Sequence, residues 1–340
     1  MTQNKPWLFT TRESFEHDLV DELTLEGDKP NLIMSSLVLT TKTPTKHPAF
    51  GRQGFPISIE AEGEDLARQL ADNFLQDYQA ICAGKKRPFC LQVFVPDADS
   101  TNLLSARASQ LEAQLKQIVC ADEYFAKRFF DNGEKCRELE GILWQVCVVK
   151  EHKAYAGSLL CAEAPSLFPG GRARLRLREE MPSRAALKLE EAFHWLRRAP
   201  DAGDTCVDLG AAPGGWTFVL LERRARVLAV DPAKLSPEIM KRKGVRHFCQ
   251  SAFQFEPPEP VLWLCCDMAW RPMEVAQLLA KWGRKRWANF LVSNIKLPMK
   301  QRAEFVKELT KMIASGGWQD VTARQLYHDR EEVTFGGWRT

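Results

Sequence analysis

The chain has 340 residues, 45% of them hydrophobic, and a formal net charge of +3. That length suits two or three domains with full cores, no apolar run approaches the ~20 residues of a membrane span, and the opening Met1-Thr2-Gln3-Asn4-Lys5-Pro6-Trp7 lacks the apolar stretch of a signal peptide. Ten cysteines without a CxxC pair or close Cys/His spacing exclude a zinc finger or ribbon and read as reduced core residues of a cytosolic protein.

In chain order, Trp7 to Thr10 predicts a strand, and Ser14 to Leu25 an amphipathic helix with Phe15, Leu19 and Leu23 on one face. Leu32 to Thr40 and Ile57 to Glu60 predict further strands, and Glu64 to Cys82 a long helix. A polar break, Ala83 to Pro88, separates these from a strand at Phe89 to Val95, a helix at Leu103 to Gln117 and a hairpin of Ile142 to Val149 with Ala154 to Cys161. The reading is two small α+β units divided near residue 85. A basic segment with Arg172, Arg174, Arg176, Arg178 and Arg184 follows, and Lys281, Arg284, Lys285 and Arg286 form a second basic cluster. Such runs serve equally as solvated faces and as phosphate contacts.

From Pro182 the texture changes. Ser183 is placed to cap a helix running to Arg198. Strands at Cys206–Leu209, Arg226–Val230, Pro260–Cys266, Ala288–Ile295 and Trp318–Leu326 then alternate with helices at Trp216–Arg224, Met273–Trp282 and Arg302–Ser315. Alternation of this kind predicts an α/β domain with a parallel, Rossmann-like sheet. The segment after Glu332 predicts only a short last strand.

One motif stands above the rest: Val207-Asp208-Leu209-Gly210-Ala211-Ala212-Pro213-Gly214-Gly215-Trp216-Thr217. A buried strand ends in an acid, a glycine-rich turn follows, and a helix begins. Ligands of open α/β sheets lie beyond the carboxyl ends of the strands, and glycine lets backbone approach them closely. No Lys-Ser/Thr follows the glycines, so this is not a P-loop, and the spacing is not GxGxxG. An acid before the glycines suits a ligand whose near end is cationic, which fits the sulfonium and amino groups of S-adenosylmethionine. Asp208, Gly210, Pro213, Gly214, Gly215 and Trp216 are therefore candidate cofactor residues. Asp231 ends the next apolar strand and can accept both ribose hydroxyls. Asp267 and Lys296 end two further strands.

The motifs PSRAALKLEEAFH, DLGAAPGGWT, CCDMAWRP, NIKLPMK and ARQLYHDREEVT between Met181 and Val333 resemble those of the RlmM family of bacterial 23S rRNA cytidine 2′-O-ribose methyltransferases. The resemblance implies a Rossmann-like S-adenosylmethionine-dependent methyltransferase domain at residues 166–340. It implies a ferredoxin-like α+β domain at 1–85, whose start is similar to Thr11-Arg12-Glu13-Ser14-Phe15-Glu16, and a THUMP-like RNA-binding domain at 86–165. It also implies a Lys-Asp-Lys-Glu catalytic tetrad, matched here by Lys188, Asp267, Lys296 and either Glu331 or Glu332. Glu332 is preferred because it directly precedes apolar Val333. Ser251 stands where the family commonly has an acid contacting adenine, and Asp267 also borders the cofactor. No metal is implied.

A ribose 2′-hydroxyl is a weak acid and must lose a proton as it attacks the methyl carbon. An uncharged lysine amine can take that proton, and a neighbouring cation and partial burial both favour the uncharged form. Lys296 is the candidate base and Lys188 the second cation, with Asp267 and Glu332 holding the lysines in place. Trp216, Trp270 and Tyr327 are candidate base-stacking residues, and His328 a structural group or an RNA contact. The expected partner is RNA, a cytidine of 23S rRNA by resemblance, gripped by the N-terminal domains and the arginine segment. Another structured RNA such as tRNA, or a non-catalytic RNA-binding or ribosome-assembly role, gives the same fold without the same product.

Overall fold

The computed structural model describes residues 5–339; residues 1–4, where the expected absence of a leader was read, and Thr340 lie outside the described residues. The chain divides into two compact units, one up to Arg172 and one from Ala173.

The first unit holds two four-stranded sheets. β1 (Trp7–Thr10), β2 (Asn31–Met34), β3 (Leu37–Leu39) and β4 (Gln53–Pro56) pair antiparallel in the order β2-β3-β1-β4, with α1 (Glu16–Leu25) following β1. The second sheet is built from β5 (Ile59–Glu62), β6 (Phe89–Phe94), β7 (Ile142–Lys150) and β8 (Lys153–Leu160) in the order β5-β8-β7-β6. It is covered by α2 (Leu66–Cys82) and α3 (Ser105–Val119), while the short α4 (Glu123–Ala126) and α5 (Gly133–Glu138) lead into β7. Phe74 of α2 stacks on Trp144 of β7 at 4.2 Å between ring centroids, the centre of an aromatic-rich core.

Two expectations change here. Leu32 to Thr40 is a hairpin rather than one strand, because Ser36 takes a positive φ of 63° and reverses the chain. The strand expected at 57–60 lies two residues later, since β4 of the first sheet ends at Pro56 and β5 of the second runs from Ile59 to Glu62. The sheets therefore part near residue 57, and α2 packs on the second of them, whereas the polar break at Ala83 to Pro88 joins α2 to β6 within one sheet's chain.

The second unit runs through α6 (Ala185–Leu196), β9 (Thr205–Leu209), α7 (Gly215–Glu222), β10 (Arg226–Val230), α8 (Pro237–Met240), β11 (Val245–Phe248), β12 (Val261–Cys266), α9 (Pro272–Arg284), β13 (Ala288–Lys296), α10 (Arg302–Ala314), β14 (Gln319–Arg324) and β15 (Glu332–Trp338). Its seven-stranded sheet has the order β11-β10-β9-β12-β13-β15-β14. β9 to β13 are parallel, and β15 inserts antiparallel between β13 and β14. β9 and β12 are near-continuous apolar runs, as expected for parallel strands covered on both faces. The last strand is not short: β15 spans seven residues and is paired on both sides, because the glycines at 336 and 337 continue the ladder to Trp338.

No helix of the described residues is long and apolar enough to cross a membrane. All ten cysteines are free, but Cys249 is exposed and not a core residue, since it sits just past the edge strand β11. Cys90, Cys136 and Cys161, far apart in sequence, meet in the buried core of the first unit with their Sγ atoms within 4.8 Å of one another. Close sequence spacing could not show that grouping.

Candidate active site

Parallel strands deliver their C-terminal ends to one edge of the sheet, so Asp208, Asp231, Asp267 and Lys296 gather there from β9, β10, β12 and β13. The main chain locks this edge: Gly210 and Ala211 donate their N–H groups to the Val230 carbonyl, and Asp267 donates to Leu209. Gly210 has φ 80°, and a Cβ there would meet Met268 Cγ at 2.8 Å and the Asp267 carbonyl at 3.0 Å, so the turn requires glycine twice over.

Asp208 is fully buried. Its Oδ2 accepts from the Thr217 hydroxyl at 2.6 Å, while among the described residues Oδ1 has no hydrogen-bond partner. Burial pushes its carboxyl up to about 7, and the charges of Asp267 and Asp231 add to the shift. Asp231 uses both oxygens on the turn, accepting from Ala212 N–H at 3.1 Å and Ala233 N–H at 2.8 Å. Three carboxylates converging beneath a glycine turn, one with an unpartnered buried oxygen, fit a ligand that carries positive charge at this end.

Pro213 is exposed, and Gly214 takes φ 118° at the start of α7. Gly215 allows close approach to α6, since a Cβ there would lie 2.3 Å from Ser183 Oγ. Trp216 points away from solvent: it is buried, and its indole N–H donates to the Ala185 carbonyl at 2.9 Å. It cannot stack on a base, and its side chain ties α7 to α6. Ser183 likewise does not cap α6; the helix begins at Ala185 without a side-chain cap, and the Ser183 hydroxyl is buried at the Gly215 contact. Ser251 follows β11 and accepts the Phe253 N–H at 3.3 Å, which turns the loop. Trp270 is 53% exposed, with its ring 5.7 Å from that of Phe253, so of the three candidate stacking residues it alone offers an open face. Tyr327 is half-buried against the His328 ring.

α6 buries Ala186, Leu187, Leu189, Ala192 and Phe193, and carries Lys188 to the sheet edge. Lys188 Nζ lies 3.4 Å from Glu332 Oε1, 3.3 Å from Asn294 Oδ1 and 3.9 Å from Asp267 Oδ1. Its side chain is only 15% exposed. Burial pushes the Asp267 carboxyl up, Lys188 holds it down and Glu332 raises it. Lys296 stands directly opposite Glu332 in the β13–β15 register. It is exposed, and no ion pair or side-chain hydrogen bond to it occurs among the described residues. Glu331 points elsewhere: it pairs with Arg302 at 2.9 Å, and its carbonyl accepts the Leu297 N–H, bracing the loop after Lys296. Glu332 is thus the carboxylate of the cluster.

Three groups in this cluster were not read from the sequence. Asn294 in β13 donates to Asp329 Oδ1 at 2.7 Å and to Thr334 Oγ1 at 3.1 Å. Asp329 also accepts from Leu326 N–H and the Thr334 hydroxyl, both at 3.0 Å; burial pushes it up to about 8, opposed first by the charge of Lys188. Glu191 of α6 accepts the N–H groups of Tyr327 and His328, tying α6 to the same loop. All sit inside the motifs already quoted, and for Asn294 a polar residue in an apolar strand was the available signal. The second basic cluster falls at the C-terminal end of α9, which leads into the start of β13, so it lies at the opposite edge of the sheet from the site.

A family model described as FtsJ-like methyltransferase matches residues 181–297, which include Lys188, Asp208, Asp231, Asp267 and Lys296. The ribosomal RNA large subunit methyltransferase M of Marinomonas sp. is 35% identical over 267 residues, covering 74% of this chain and 73% of that protein. The protein of the same name from Thauera aminoaromatica is 33% identical over 310 residues, covering 86% of this chain and 79% of that protein. That of Halorhodospira halophila is 44% identical over 170 residues, covering 49% and 50%. The chain spans about half the length of the relatives it matches at 43–45% identity.

Proposed function

Because the chain belongs to the ribosomal RNA large subunit methyltransferase M family, we propose that its second unit transfers a methyl group from S-adenosylmethionine to a ribose 2′-hydroxyl of large-subunit rRNA in the cytoplasm, with a cytidine of 23S rRNA as the target. The observation that carries this reading is the Lys188 ammonium set between Asp267 and Glu332, with Lys296 opposite Glu332 on the neighbouring strand.

Asp208 and Asp231 with the Gly210 to Gly215 turn would hold the cofactor, whose bound form supplies an electrophilic methyl group on a positive sulfur. Ser251 and the loop it turns would border the adenine end. Lys296 accepts the 2′-hydroxyl proton on Nζ as that oxygen becomes the nucleophile. Among the described residues no ion pair holds its Nζ, so the side chain is free to turn toward the ribose. Lys188, fixed by three acceptors, presents a cation to the negative charge that grows on the ribose oxygen. Alignment of oxygen, carbon and sulfur supplies the remainder. The first unit, with its ferredoxin-like and THUMP-like parts, binds structured rRNA, and exposed Arg174 and Arg176 of the second unit offer phosphate contacts.

Lys296→Ala tests the assignment. The expected result is a loss of methyl transfer of at least about 10²-fold, the usual span of a general base, with S-adenosylmethionine affinity by calorimetry unchanged. Retained transfer overturns the assignment.

A further inference from the structure

We infer that Asn294 and Asp329 form a positioning pair for Lys188, in which Asp329 fixes the direction of the Asn294 amide so that its carbonyl oxygen faces the Lys188 ammonium. The inference rests on the methyl-transfer reading above and adds two residues to it.

An asparagine amide has a donor side and an acceptor side, and only its surroundings decide which way each points. Asn294 is 2% exposed, so water does not share that decision. Its NH2 group meets Asp329 Oδ1 at 2.7 Å and Thr334 Oγ1 at 3.1 Å. Reversal would set the amide carbonyl against a carboxyl oxygen and leave the NH2 group facing an ammonium. Asp329 is itself pinned, since its Oδ2 takes the Leu326 N–H and the Thr334 hydroxyl, both at 3.0 Å. The Asn294 carbonyl is thereby turned to Lys188, 3.3 Å away.

This completes a tripod. Around the Lys188 ammonium stand Asn294 of β13, which accepts a hydrogen bond at 3.3 Å, Glu332 of β15, paired with it at 3.4 Å, and Asp267 after β12, a looser ion pair at 3.9 Å. With the two carboxylates alone, the ammonium could settle toward either. The third acceptor is neutral, so it fixes the direction without placing another negative charge where the ribose oxygen becomes negative. Asp329 stands one side chain further back, fully buried. Asn294 and Asp329 act through Lys188 and are positioning residues.

The test is single-turnover methyl transfer to rRNA at saturating cofactor and RNA, with both affinities measured separately, for Asn294→Ala, Lys188→Ala and the double variant. Asn294→Ala is expected to slow the reaction about tenfold with both affinities within about twofold of the unaltered protein, and to add no further loss in the Lys188→Ala background. Losses that multiply in the double variant, or an unchanged rate for Asn294→Ala, overturn the pair. If thermal melts show that Asn294→Ala does not fold, Thr334→Val keeps the volume and weakens the same amide. It is expected to slow the reaction about threefold, and not at all without Lys188; equal slowing in both backgrounds overturns the pair. Absence of transfer by the unaltered protein overturns the parent reading, and the pair's role with it, while transfer with multiplying losses overturns the pair alone.

Discussion

Lys296 and Glu332 face each other at the end of the antiparallel β13–β15 ladder, and Glu332 turns its carboxylate toward Lys188 on α6, 3.4 Å away. One carboxylate therefore stands between the elements that carry the two lysines. Neighbouring Glu331 has a different task, held by Arg302 at 2.9 Å on the loop that follows Lys296.

The two glutamates should separate cleanly. Glu332→Gln removes a charge that fixes Lys188 and is expected to slow methyl transfer by about 10- to 100-fold, the scale of roughly 1.4–3 kcal/mol. Glu331→Gln loosens an exposed pair and is expected to change the rate by no more than about threefold. Rates measured side by side decide this; equal losses would remove Glu332 from its special place.

Asp208 links the site to pH. Its folded carboxyl is pushed up to about 7, while the unfolded value is about 3.9. The folded state holds this proton more tightly, so the contribution to stability is full below about pH 4 and is lost as pH rises through about 7. Asp208→Asn cannot ionise and should flatten the fall in melting temperature over that window. In the unaltered protein, affinity for a cationic cofactor should rise across the same window, and this rise should vanish in Asp208→Asn. Calorimetry at about pH 5.5 and 8, on either side of the carboxyl's titration, reads it, and equal pH dependence in both proteins would detach Asp208 from the ligand.

Gly210→Ala places a methyl group where Met268 Cγ and the Asp267 carbonyl already stand, at a φ of 80°. The expected cost is about 1–3 kcal/mol in denaturant unfolding, with weaker cofactor binding, because the displaced segment carries Asp267. A variant with unchanged stability and binding would show that the turn yields without effect.

Much of the second unit was legible because its strands are long apolar runs closed by acids, a pattern that local sequence carries by itself. Lys188 lies one turn into α6, Asp267 just past β12 and Lys296 at the end of β13, places that the apolar periodicity of these segments already marks in the sequence. The capping role expected of Ser183 failed because Gly215 packs against its hydroxyl, a contact between segments about thirty residues apart. Trp216 follows the glycine turn that the sequence offers as a candidate cofactor site, yet its indole N–H finds Ala185 instead. The hairpin at 31–39 turns on one positive φ at Ser36, which hydropathy does not encode. In the Asn294–Asp329–Thr334 network the β13–β15 pairing sets Asn294 against Thr334, and the loop before β15 adds Asp329.

The arginine segment offers a further test. Arg174 and Arg176 are exposed, whereas Arg178 is engaged with Glu190 at 2.9 Å and Glu222 at 3.4 Å. Replacing Arg174 and Arg176 together by Ala should weaken RNA binding and reduce the salt slope by about 1–2, one for each phosphate no longer neutralised. Arg178→Ala should leave the slope nearly unchanged. A slope unaltered by the double replacement would make the segment a solvated face.

The most direct measurement is methyl transfer from labelled S-adenosylmethionine to total RNA from cells lacking this protein, followed by nuclease digestion and nucleoside analysis. Label is expected in 2′-O-methylcytidine from the large-subunit rRNA, and none when Lys296→Ala replaces the unaltered protein. Label in a base-methylated nucleoside, or no label from a protein that binds the cofactor, would contradict ribose 2′-O-methylation.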